Sequence, residues 1–389
     1  MFEVKVSKRL ASLPPYLFAD LDRKKAEVAG SGVDLIDLGV GDPDMPTPDH
    51  IIQALKEAVH DSMNHKYPAY TGSMEFICAA ADWAKRRFGV TLDPETEVLP
   101  LIGSKEGIAH LPLTLMNPGD VGMAPSPGYP VYNIGIRLAG GETWFMDLKI
   151  ENNFLPDLES IPDEIAGRAK LMFLNYPNNP TSAVADTNFF RSVVDFAQQH
   201  QIIICHDAAY SELAFDGYKP ISFLEIPGAK EVGIEMHSLS KTYNMTGWRI
   251  GFAAGRADLI RELGRMKSNI DSGVFRAVQL AGKSAFEESD AFLEGLNGEY
   301  KKRRDIMAAG LKKMGFSFIE PKATFYMWIE TPHGYNSVGF CEHLLKRQGV
   351  VVTPGSGFGD AGEGYFRIAL TLGCDRLKEA LRRIEEAGL

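Results

Sequence analysis

Five short runs constrain this chain more than anything else in it: EVLPLIG at 97–103, AKLMFLNYP at 169–177, IIICHD at 202–207, EVGIEMHSL at 231–239 and WRIGFAAG at 248–255. Each is apolar along almost its whole length rather than at alternate positions, so as a strand it has no face to give to water. GETWFMDL at 141–148 reads as a further strand. The intervening segments carry apolar residues at helical spacing, as in PDHIIQALKEAVHD with Pro48 and Asp49 at its start, SKEGIAHLPLTLM stopped by NPGD, DTNFFRSVVDFAQQH and ADLIRELGRMKSNI. Strands buried on both faces and alternating with helices predict an α/β fold with a mostly parallel central sheet sandwiched by helices.

Beyond residue 285 the pattern changes. A long charged helix at 290–315 is followed by strands FSFIEP and TFYMWIE, a helix, strand YFRIAL and a last helix, which predicts a smaller α+β domain. The expected division is a large domain at 45–285 and a small one built from 1–44 plus 286–389. With 389 residues and 45% hydrophobic content, the chain can fill two cores. A formal charge of −10 excludes a general nucleic-acid surface, because no basic face is present to displace counterions from phosphates. MFEVKVSKRL lacks the apolar core of a signal peptide, and no run of about eighteen apolar residues occurs. A cytoplasmic protein, off the membrane and acting on small molecules or protein partners, is expected. Cys78, Cys205, Cys341 and Cys374 lie far apart with no metal-ligand spacing, so neither disulfides nor a metal are expected.

In open α/β sheets ligands collect beyond the carboxyl ends of the strands. Ser104 follows EVLPLIG, Asp207 closes IIICHD and Lys241 lies just past EVGIEMHSL. A lysine desolvated there, beside another cation, becomes a neutral nucleophile able to form a Schiff base, although most lysines in loops are solvated surface cations. Ser238, Ser240 and Arg249 are residue types that hold a phosphate, and GSKEG at 103–107 opens a helix whose free amides attract an anion, as any capped helix start would. Asp207 at the end of an apolar strand needs a cationic partner; a pyridinium, a helix cap or a salt bridge all supply one. Tyr210 is placed to reach a phenolic oxygen on the same ring or to pack in the core. NYPNNPTS at 175–182 is a tight turn of the kind that takes cis-proline. Arg367, inside the alternating strand GYFRIAL, either extends outward or receives a carboxylate.

Taken in order, LGVGDPDMPTP, KYPAYTG, GSKEG, SPGYPVY, NNPTS, HDAAY, SLSKTYNMTGWRIG and FRIAL resemble the class I/II aminotransferases of fold type I, across essentially the whole chain. The resemblance implies pyridoxal 5'-phosphate as cofactor and a homodimer with shared active sites. It implies Lys241 as the imine-forming and proton-shuttling amine, and Asp207 on the ring nitrogen. Asn179 and Tyr210 would bond the phenolic oxygen, with Tyr129 stacked on the ring. Ser104, the Lys105 backbone, Ser238, Ser240 and Arg249 would bind the phosphate, joined by Tyr67 from the neighbouring subunit, with Tyr70 a rival for that role. Arg367 would clamp the substrate α-carboxylate, with the Gly41 backbone at the entrance and Tyr129 and Asn179 alongside.

RLASLPPYLFADL, GVGDPDMPTP, GSKEGIAHLPL and KSNIDSGVF further resemble the LL-diaminopimelate aminotransferase branch, in which Tyr16, the Lys105 side chain and Asn269 would surround the distal end of the substrate. That implies amino transfer between LL-diaminopimelate and 2-oxoglutarate. YPAYTG carries no acid where the branch often has glutamate, and Ser182 stands where the wider family usually has glycine, with only a local loop effect expected. An alanine, aspartate or broad 2-oxoacid aminotransferase, a C–S lyase, or a regulatory protein that keeps the cofactor without turnover remain alternatives at this point.

Overall fold

The computed structural model describes residues 2, 4–13, 17–30, 32–287 and 290–388, without the side chains of 17–22. Its main sheet has seven strands: β1 (Val98–Leu101), β2 (Val121–Ser126), β3 (Glu142–Asp147), β4 (Ala169–Leu174), β5 (Ile203–Asp207), β6 (Gly233–Ser238) and β7 (Gly251–Gly255). They lie in the order β1-β7-β6-β5-β4-β2-β3. Only the pairings of β7, with β1 and β6, are antiparallel. Every residue of β1, β2, β6 and β7 is buried, as runs without a polar face require, whereas in the edge strand β3 Met146 alone is fully buried. This is the mostly parallel α/β core that the apolar runs predict.

Helix boundaries follow from local chemistry. Asp186 caps Thr187–His200 by accepting from the Phe189 amide, and Ser73 caps Met74–Phe88, which Gly89 ends at φ 70°. Among the elements that escaped the sequence reading are the helices Met74–Phe88, Val131–Leu138 and Arg276–Glu287 and the strand β2. In β2, Gly122 and Pro125 disguise the strand, yet a Cβ at Gly122 would stand 2.7 Å from Ile136, so close helix packing asks for glycine there.

A second core surrounds an antiparallel sheet of β8 (Tyr326–Glu330), β9 (Thr353–Pro354) and β10 (Tyr365–Ala369), ordered β9-β10-β8. The N-terminal segment joins it, since Ile36–Asp37 pairs in parallel with Val350–Val351. Ile36 and Leu38 pack there with Tyr300, Phe340 and Phe366. FSFIEP is not the strand read from the sequence. It makes one isolated bridge, Phe318 to Ile329, because it lies outside β8 with Ser317, Ile319 and Glu320 in solvent and Pro321 at its end.

The expectation for Ser182 also needs correction. Its backbone is left-handed at φ 59°, and its buried hydroxyl donates to the Tyr326 carbonyl at 2.8 Å while lying 2.9 Å from Thr324 Oγ1. A glycine has no side chain to make these bonds. The effect of Ser182 is therefore not local: it ties the loop after β4 to β8.

Candidate active site

Because β7 runs against its neighbours, its start lies at the same sheet edge as the ends of β1 and β6; Gly251 pairs with both Leu101 and Ser238. Arg249, two residues earlier, therefore arrives beside Ser104, Ser238 and Ser240. Its left-handed backbone, φ 54°, turns the guanidinium back toward the Ile102 and Thr246 carbonyls. Gly103, at φ 75°, completes this corner, since a Cβ there would stand 2.4 Å from Arg249 Nη2.

The corner opens into a cavity of about 470 Å³. Asp207, at the end of β5, is buried on its floor. The Tyr132 hydroxyl donates to its Oδ2 at 2.9 Å and the Ala209 amide to Oδ1 at 3.3 Å. Burial pushes this carboxyl up, and those two donors only partly oppose it. Lys241, in the turn of helix after β6, donates to the Gly41 carbonyl at 2.8 Å. Glycine is required at 41, because a Cβ would fall 1.9 Å from the Tyr326 hydroxyl. The Tyr210 and Tyr326 hydroxyls lie 3.2 Å apart.

Arg367 on β10 does not extend outward. It is 2% exposed, with Nη1 donating to Asn179 Oδ1 and Nη2 to the Gly39 carbonyl, both at 2.7 Å. Its guanidinium carbon lies 4.2 Å from the Tyr326 ring centre and 4.7 Å from that of Phe358, and Nε has no partner. Among the described residues no carboxylate lies within ion-pair distance of it. A buried cation with neutral acceptors and a spare donor calls for an anionic ligand.

Of the residues singled out from sequence, Gly41, Ser104, Lys105, Tyr129, Asn179, Asp207, Tyr210, Ser238, Ser240, Lys241, Arg249 and Arg367 all line this cavity. Tyr67 and Tyr70 do not; they are 88% and 57% exposed outside it. Asn269 caps the helix Ala257–Ser268, its amide donating to the Arg265 carbonyl, and is likewise absent from the lining. Tyr16 lies outside the described residues.

Sequence reasoning missed Tyr132, Asn175, Tyr326 and Phe358 in the lining. Tyr132 and Asn175 sat inside motifs already quoted. Asn175 donates to the Asp207 carbonyl at 2.7 Å and accepts from the Asn179 amide at 2.8 Å, joining the two strand ends.

This donor set fits pyridoxal 5'-phosphate: hydroxyls, a helix start and a guanidinium for the phosphate, a buried acid for a ring nitrogen, and an amine between. Burial lowers the Lys241 amine to about 8; Asp42 pulls it up, while Arg367 and Arg249 push it down. A lowered value frees the lone pair at lower pH. In cofactor-free protein, acylation of Lys241 by an uncharged reagent, read by peptide mass analysis, should rise from pH 6 and level off above about 8. Exposed lysines should keep rising toward the ordinary 10.5. A Lys241 profile that follows the surface lysines contradicts this environment.

The profile of the family aminotransferase class I and II matches residues 33–384. The chain belongs to that family and is a transaminase dependent on pyridoxal 5'-phosphate. Among its relatives, LL-diaminopimelate aminotransferase of Syntrophobacter fumaroxidans is 57% identical over 380 residues, covering 98% of each chain. LL-diaminopimelate aminotransferase of Aquifex aeolicus is 54% identical over 389 residues, 100% of both. The substrate-bound structure of BacF from Bacillus subtilis has a TM-score of 0.95 at 41% identity, covering 99% of this chain and 98% of that one.

Proposed function

We propose that this aminotransferase exchanges the amino group of LL-diaminopimelate with 2-oxoglutarate. The observation that carries the reading is a second cation: Lys105 lines the same cavity as Arg367. One cation suffices for the α-carboxylate that all amino acids share, so a second suits a substrate with a distal carboxylate. Burial, and behind it Arg249, lowers the Lys105 amine. The names of the two relatives support the same substrate.

The bound cofactor supplies an aldehyde carbon and an electron-accepting ring. Around it, Ser104, Ser238, Ser240 and Arg249 anchor the phosphate, and Asp207 holds a proton on the ring nitrogen. Tyr210 and Asn179 bond the phenolic oxygen, and Tyr129 covers the ring face. Arg367 fixes the α-carboxylate, and the Lys241 amine would carry the proton from the substrate α-carbon to the cofactor's C4' carbon. Tyr16 and Asn269 are assigned to the distal end of the substrate.

The reading includes a cytoplasmic homodimer of two-domain subunits, divided at 45–285 against 1–44 plus 286–389. The core around β8 and β10 draws mostly on residues of 1–44 and 286–389, joined by Ala209, Tyr210, Leu213 and Phe215, which supports that division. Met63, Tyr67, Tyr70 and Met74 expose apolar surface next to Ile270 and Phe275, and a Cβ at Gly273 would touch Pro68. That face suits a second copy, through which Tyr67 would reach the neighbouring phosphate.

Purified enzyme assayed with 2-oxoglutarate should prefer LL-diaminopimelate to alanine, which has no distal carboxylate, by about tenfold or more in kcat/KM, the scale of one charge-assisted bond. Lys105→Met should cost about ten- to a hundredfold with LL-diaminopimelate and little with alanine. A preference for alanine or aspartate overturns the substrate.

A further inference from the structure

On β5 and β6 the residues one step before the proposed cofactor ligands point to the opposite face of the sheet, since side chains alternate along a strand. There His206, before Asp207, and His237, before Ser238, meet a single carboxylate, Glu235. His206 and Glu235 are 0% exposed and His237 4%. His206 Nδ1 lies 2.8 Å from Glu235 Oε1, and His237 Nε2 lies 3.2 Å from Oε2. The Tyr176 amide donates to His206 Nε2 at 3.2 Å, which leaves Nδ1 as the nitrogen that donates to Glu235. The Phe223 amide, at 2.6 Å, and the Ser222 hydroxyl complete the set of donors to the carboxylate. Aromatic rings close the site: Trp83 and Phe252 around His237, Phe190 and Phe223 around His206.

We propose that Glu235 is a positioning residue for cofactor binding: through His206 and His237 it fixes the ends of β5 and β6, and so sets Asp207 and Ser238 on the opposite face. The inference rests on the assignment of those two residues to the cofactor's ring nitrogen and phosphate.

Three arguments support it. A charged cluster inside a sheet is no better for stability than apolar residues of the same shape, so its presence asks for another reason, and fixing a register is the best attested one. His206 pairs with Glu235 across the two strands, and Asp207 pairs with Met236 one step on, so a slip between β5 and β6 would displace both ligands together. The carboxylate is held ionised: burial pushes it up, but the His206 and His237 hydrogen bonds outweigh this and keep it well below the usual range.

The test is titration of cofactor-free protein with pyridoxal 5'-phosphate, followed by the absorption of the bound cofactor, beside the thermal midpoint of each variant. His206→Leu and His237→Leu keep an apolar shape and remove the donor. His206→Asn and His237→Gln keep an N–H near the original nitrogen. The leucine variants should bind the cofactor about tenfold more weakly, the loss of one hydrogen bond to a charge, and the amide variants should recover most of that affinity. Ser222→Ala, which removes a donor attached to neither strand end, should stay within about twofold. If the leucine variants bind as tightly as the parent, or if affinity follows thermal midpoint whichever donor is lost, the proposal is overturned. Asp207→Asn and Ser238→Ala are measured in the same titration. Unchanged affinity in both would sink the site assignment itself, whereas weakened affinity there with intact binding in the histidine variants would sink only the role of Glu235.

Discussion

Lys241→Ala should abolish transamination, lowering kcat by about 10⁴-fold or more, because one change removes both the nucleophile and the proton carrier at the substrate α-carbon. Lys105, the other lysine that lines the cavity, belongs to the helix Ser104–Leu115 and not to the turn after β6. The cofactor should remain bound without a covalent link, since Ser104, Ser238, Ser240 and Arg249 are untouched and Gly103 still leaves the guanidinium its place. The two outcomes are separable. Steady-state assays read the first, and equilibrium dialysis of the cofactor reads the second. Retention of more than about a hundredth of the activity contradicts the role of Lys241, because a single general acid–base group already contributes about 10²–10⁴-fold.

The parts of this site that could be read in the sequence are those set by the main chain. Asp207 and Lys241 sit at strand ends, and the end of a uniformly apolar run is visible without coordinates. The phosphate corner was legible for the same reason, although the cause of its convergence, the reversed direction of β7, was not: nothing in WRIGFAAG says which way the strand runs. Side chains that arrive from a distant element were harder. Tyr326 and Phe358 reach the cavity from segments more than a hundred residues beyond β5, and a tyrosine in TFYMWIE looks like any core aromatic. Arg367 was ambiguous between solvent and ligand until its burial was known. Tyr132 went unnoticed because its partner, Asp207, is 75 residues away. The Glu235 cluster was equally hidden, since His206 lies 29 residues away on another strand and nothing in IIICHD or GIEMHS says that the two meet. Ser182 was misjudged because its bonds run to Thr324 and Tyr326, 142 and 144 residues on.

Asp207→Asn is the sharper probe of how the protein uses a buried charge. The amide has the shape of the acid, so the Tyr132 hydroxyl can still donate to an oxygen at that position. What is lost is the negative charge that keeps a proton on the ring nitrogen; the amide N–H would instead donate to that nitrogen in its unprotonated form. The ring then accepts electrons poorly, and kcat should fall on the order of 10²–10³-fold, the effect of removing one preorganised electrostatic partner, with KM changed much less. The stability of the cofactor-free protein should move the other way. Burial raises the Asp207 carboxyl above its unfolded value, so in going up through that interval the unfolded state gives up its proton first and stability falls as pH rises. Above the titration range of the unfolded carboxyl the cofactor-free chain thus carries a cost that asparagine does not impose. The cofactor-free variant should therefore melt at least as high as the parent, while the rise in melting temperature on adding pyridoxal 5'-phosphate should shrink. A variant that melts lower without cofactor and gains as much from it as the parent does would show that the carboxylate serves the fold rather than the ring.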